Sequence, residues 1–223
     1  MPKETSASAD DSLLEERRAE RLRQRIEFLS AVLLAVTTVA TAWSAYQSSR
    51  WGGQAHGHQL NAIEAIVRTA KFTNLAEQKM GLHTTLFGQW VGAVGANNEP
   101  LAEYLVSHFP EPLRTATAAW RTKNPSGDMA EPSTPFGMPE YVLAENAEAQ
   151  RWEDVSIAES KAAEAAGETS DRYLLFTVIF ASVLFFGGIS GKFGWQAMDV
   201  TVLVLGALAL FTGLSIMSLL PVQ

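Results

Sequence analysis

His56-Gly57-His58 is the one place where the chain sets two metal-ligating side chains almost side by side. Two imidazoles flanking a glycine could be joined by Glu64 or by a carboxylate from the returning helix around zinc or copper, but such sites take three or four ligands at fixed geometry. The other histidines, His83 and His108, lie far off in sequence. His56 and His58 are therefore only a weak metal candidate, read as surface histidines near lipid headgroups, and no metal or cofactor is expected. Gly187–Phe193 (GGISGKF) has the outline of a phosphate-binding loop, but its first glycine is one position out of register and Phe193 stands where a hydroxyl is needed. No dinucleotide-binding glycine pattern, H-E-x-x-H or G-x-S-x-G is present. Glu145, Glu148, Glu159 and Glu164 suit a solvated helix face better than an acid/base pair in an apolar pocket. The chain has no cysteine, which excludes disulfides, thiolate catalysis and cysteine-based metal centres. No enzymatic activity is expected. A net charge of −7 also argues against nucleic acid as a partner, since phosphate binding needs a basic surface.

The elements around these residues are dominated by three apolar stretches, 28–46, 173–190 and 200–220, none containing Asp, Glu, Lys, Arg or His. Each is about as long as a helix needs to cross a bilayer at ~1.5 Å per residue. The first follows a charged segment and outruns a cleavable signal, so it is expected to be an uncleaved signal anchor. The fold class expected is all-α: three transmembrane helices, with a long helical extramembrane domain, 47–171, inserted between the first and second. Residues 1–11 read as disordered. A capping box at Ser12 and Glu15 opens a charged juxtamembrane helix over 12–27. Within the inserted domain, Gly52-Gly53 and Gly57 are expected to loosen the helix that leaves the bilayer. Asn97-Asn98-Glu99-Pro100 reads as a stop and restart, with Asn as cap and Pro in the next helix's first turn. Breaks are expected at Pro110 and Pro112, and a short helix around Leu113–Trp120. Residues 123–139, with four prolines, form the clearest loop. A helical pattern then runs to Ala166 and suits antiparallel packing against Gln54–Val94. Gly167 and Thr169/Ser170 permit a bend or a fresh cap before the second span. A turn over 191–199 closes a membrane hairpin, with Asp199 expected as the cap of the third span.

The first span carries Ala31, Ala35, Thr38, Ala42 and Ala45 at alternating spacings of four and three, so these small residues share a face. Thr37, Thr41, Ser44 and Ser48 form an adjacent hydroxyl stripe. Both faces suit helix–helix packing, and the hydroxyl stripe could instead line a pore. Gly187 and Gly188 on the second span, and Gly206 and Gly213 on the third, provide surfaces for a tight hairpin. Before the first span, Arg17, Arg21 and Arg25 share one helical face, while Glu16, Glu20, Arg23 and Glu27 line another. The arginines could meet anionic headgroups, but the interleaved acids favour a solvated helix that acts as a topology signal. Trp43, Tyr46 and Trp51 fit an aromatic belt at the other end. Six basic residues near membrane ends (Arg17, Arg18, Arg21, Arg23, Arg25 and Lys192) place the N-terminus and the short turn in the cytoplasm, and residues 48–171 outside.

The order of these features resembles a family of uncharacterised bacterial inner-membrane proteins. The residues that carry the resemblance are Trp43-Ser44-Ala45-Tyr46-Gln47, with Trp51 soon after, between a charged helix and a long helical segment closed by a membrane hairpin. The resemblance implies a multi-pass protein of a bacterial inner membrane and carries over no catalytic residues. The expected function is non-enzymatic: a self-associating structural or regulatory module, partnered by the bilayer, by other copies of itself and by an unidentified protein at the extramembrane domain. The alternative is an oligomeric channel lined by the Thr/Ser face.

Overall fold

The computed structural model describes the backbone of residues 4–123, 133–190 and 196–223, and their side chains except at 4–16, 18, 19, 22, 190 and 196–199. Every regular element among the described residues is helical. In chain order they are α1 (Glu4–Gly95), α2 (Glu99–Ser107), α3 (Leu113–Lys123), a 3-10 turn (Pro135–Gly137), α4 (Ala144–Ser190) and α5 (Gln196–Met217). Three helices are long and apolar enough to cross a membrane: α1, α4 and α5.

Several expected boundaries fall elsewhere. Helix α1 begins at Glu4, upstream of the capping box, whose side chains lie outside the described residues. It passes through Gly52, Gly53 and Gly57 without ending, and α4 passes through Gly167 in the same way. An interior glycine costs about 1 kcal/mol relative to alanine, too little to end a helix held by packing on both sides. Helix α5 begins at Gln196, which puts Asp199 in its first turn instead of at its cap. Residues 124–132 of the expected loop and 191–195 of the hairpin turn lie outside the described residues.

The chain forms two compact units. One comprises Met1–Gly57 with Ala162–Gln223, the other His58–Lys161. In the first unit α1 and α4 run antiparallel, since Ser44 meets Tyr173 and Ser48 meets Ser170. Ala40, Phe176, Phe180 and Leu210 are the buried centre, flanked by Leu33, Ile179, Leu214 and Met217. Glycine sets how closely α5 approaches α4: a Cβ on Gly213 would stand 2.6 Å from the Phe180 ring.

In the second unit, α1 and α4 are again antiparallel, linked by His58–Glu159 and Lys79–Glu145. Ala62, Ala65, Ala76, His83, Phe87 and Trp90 are the buried line of α1, at helical spacing. The α1–α2 junction follows the sequence signal closely. Asn97 takes a left-handed φ of 55°, Asn98 N–H bonds Ala93 O, and Asn97 N–H bonds Val94 O, which closes α1 as a Schellman turn. The Asn98 side chain then accepts from Leu101 N–H at 3.3 Å as the cap of α2. Helices α2 and α3 and the 3-10 turn gather Ala102, Phe109, Leu113, Trp120 and Phe136 around Phe87 and Trp90.

Candidate functional site

The densest set of long-range polar contacts in the first unit is built on the Trp43–Trp51 segment of α1. Ser44 is fully buried, and its hydroxyl donates to Tyr173 O at 2.9 Å. One turn on, the buried Gln47 uses both ends of its amide: Nε2 donates to Gln223 O and Oε1 accepts from Gln223 N–H, each at 3.1 Å. Pro221 O accepts two bonds, from Trp51 Nε1 at 3.1 Å and from the Tyr173 hydroxyl at 3.2 Å. Ser170 donates to Ser48 O at 2.8 Å, and its hydroxyl lies 3.3 Å from where a Cβ on Gly52 would stand. Segment 221–223, which lies beyond α5, is thus tied to α1 and α4 through backbone groups that no helix satisfies. Trp43 and Tyr46 point the other way, exposed and 6.0 Å apart between ring centres.

The predicted packing residues divide sharply. Thr37 and Ser44 are buried and Thr41 half-buried; Thr37 and Thr41 donate to the carbonyls one turn back, Leu33 O and Thr37 O. Ala31, Ala35, Thr38 and Ala42 are exposed. Gly187, Gly206 and Gly213 sit at close contacts, to Leu34, to Val183 and Leu33, and to Phe180, whereas Gly188 faces open space. Arg17, Arg21 and Arg25 are exposed, and Trp51 is half-buried through its bond to Pro221. Sequence reasoning missed Ala40 and Gln47. Thr37, Ala40, Ser44 and Gln47 also follow a three-four-three spacing, but an equally regular alanine face lay beside them.

In the second unit, His83 is the central polar side chain. It is 2% exposed, and its Nδ1 lies 2.9 Å from the Tyr141 hydroxyl, edge-on to that ring. Burial first, and the Lys79 charge second, push its pKa below the ordinary 6.5, so the neutral imidazole is favoured. Burial raises the Tyr141 phenol. Lys79 reaches Glu145, whose carboxyl is held below its ordinary range chiefly by that hydrogen bond. His58 Nδ1 lies 2.8 Å from Glu159 Oε2, which Asn61 also approaches at 3.3 Å; His58 first and Asn61 second hold the Glu159 carboxyl low. Glu145 and Glu159 are therefore not simply solvated, as the sequence suggested: both reach across to α1, while Glu148 stays on its own helix with Arg151. His56 is exposed. Among the described residues, no three His, Asp or Glu side chains gather as a metal site.

Comparison with known protein families, known proteins and solved structures finds no match. What the chain does must therefore be argued from its own geometry. The long-range polar contacts described above join one helix or segment to another: Ser44 and Ser170 to backbone carbonyls, Gln47 through a two-point amide bond, and Lys79 and His58 through cross-helix pairs. None of the residues described above forms a nucleophile–base pair facing a cleft.

Proposed function

We propose that this protein is a non-enzymatic, membrane-anchored module that self-associates. In this reading α1, α4 and α5 cross a bacterial inner membrane, the N-terminus is cytoplasmic, and residues 48–171 form a helical domain outside. The observation that carries self-association is a second apolar face on α1. Leu60, Ile63, Ile66 and Val67 are 53%, 50%, 55% and 63% exposed, while the face toward α4 is already filled by Ala62, Ala65 and Ala76. A helix apolar on two sides and partnered on one fits a second copy on the other.

A thiol placed in this cysteine-free chain tests the idea directly. Ile63→Cys is expected to form disulfide-linked dimers on mild oxidation in membranes, and Asp154→Cys on the exposed side of α4 is not. Monomers alone in native mass spectrometry, with no cross-link at residue 63, would end the reading. The channel alternative draws no support from Thr37 and Ser44, which are buried within a single chain. Reconstituted protein that passed ionic current would revive it.

A further inference from the structure

We infer that the N-terminal part of α1 carries a binding site for an anionic phospholipid, in the leaflet at that end of the first span. The inference rests on the membrane reading above. At 100° per residue, Arg21, Arg25, Phe28, Leu29, Val32 and Val36 fall within one narrow sector of α1. All six side chains are exposed, and Arg21, Arg25, Phe28 and Leu29 line a common surface cleft. The acids of this segment lie elsewhere. Glu27 pairs with Arg23 at 3.4 Å, and Glu20 and Glu27 project from the side of the helix away from Arg21 and Arg25. Among the described residues neither Arg21 nor Arg25 has an acidic partner within ion-pair distance. The interleaving of charge along the sequence is thus resolved into two faces, one acidic, with Arg23 paired to Glu27, and one cationic.

The cationic face continues without a break into the apolar one. From Arg25 to Val36 the helix rises about 16 Å, close to half the ~30 Å hydrocarbon thickness, which is the depth one acyl chain covers. Two guanidinium groups one turn apart can bond a single phosphate, and Phe28, Leu29, Val32 and Val36 give its acyl chain an apolar track. A soluble phosphate would use only the first half of this surface. The continuity of charge and apolar side chains is what selects a lipid.

The test uses the full chain in mild detergent, with phosphatidylglycerol and phosphatidylcholine added together and bound lipid read by native mass spectrometry. Phosphatidylglycerol is expected to be retained preferentially. Joint Arg21→Gln and Arg25→Gln replacement should lower that preference about 30-fold, at the scale of two surface-basic contacts. Arg23→Gln, on the opposite face and paired with Glu27, should change it by less than about twofold. Inorganic phosphate should not displace the lipid. Equal retention of the two lipids, an Arg23→Gln loss as large as the double variant's, or displacement by inorganic phosphate would overturn the inference while leaving the membrane reading intact. Absence of any bound lipid would overturn both. The exposed positions of Arg21 and Arg25 predict unchanged helicity in the double variant, which circular dichroism checks.

Discussion

The two units solve the same problem, holding an antiparallel pair formed by α1 and α4, with different chemistry. In the unit of Met1–Gly57 and Ala162–Gln223, contact is made by glycines at close approach, side chains bonded to backbone carbonyls and a buried Phe176–Phe180 centre, with no ion pair joining one helix to another among the described residues. In the unit of His58–Lys161, α1 and α4 are joined by Lys79–Glu145 and His58–Glu159, Arg68 lies 4.4 Å over the Trp152 ring, and a cluster of aromatic rings gathers around Phe87. On the membrane reading proposed above, the difference follows from solvent: lipid rewards close backbone approach and internally satisfied hydroxyls and penalises charge, whereas water permits charged pairs.

The comparison can be broken most strongly at Phe87. Its ring stacks on Trp90 at 5.5 Å and meets Trp120 and Phe136 edge-on. Phe87→Ala should cost about 3–5 kcal/mol in the second unit. Peptide-resolved hydrogen exchange should then show lost protection in α2 and α3 and leave the α4–α5 contact protected. Gly213→Ala is the reciprocal experiment. Its new methyl meets the Phe180 ring, and about 1–3 kcal/mol should be lost from the first unit, read as a lower melting temperature in detergent.

Gln47→Leu should cost about 1–3 kcal/mol, because it leaves the Gln223 N–H and C=O without their partner. Faster exchange confined to residues 219–223 would mark the loss as local. The smallest effect is a matter of pH. His83 has its pKa lowered in the fold, so below 6.5 the unfolded chain binds the proton more readily. The stability His83 confers is complete above pH 6.5 and is lost as pH falls from there toward the lower folded value. Glu145 and Glu159, also lowered, add a loss only below the ordinary carboxylate value of 4.5. His83→Gln should therefore remove the upper step, and only in peptides of the second unit.

Local signals were readable wherever one residue type has one backbone use. Asn97, Asn98 and Pro100 marked the end of α1 and the start of α2, because left-handed φ, capping and the first helical turn each favour those side chains. Glycine misled at Gly52, Gly53, Gly57 and Gly167, since its cost in a helix is small against packing that spans several turns. Glu145 and Glu159 misled for a different reason: a carboxylate on a helix face looks solvated until the partner helix is placed beside it.

By itself the sequence determined the helical class, the three apolar spans, the absence of thiol chemistry and the sorting of charge around α1, because each follows from composition or from a fixed helical period. Only the tertiary structure decided which of two equally regular faces of the first span is buried. Thr37, Ala40, Ser44 and Gln47 turn inward because α4 and segment 221–223 offer carbonyls and an amide for Ser44 and Gln47 to bond, and Ala31, Ala35 and Ala42 are left facing outward. Periodicity names the faces of a helix; the neighbour's hydrogen-bonding groups choose between them.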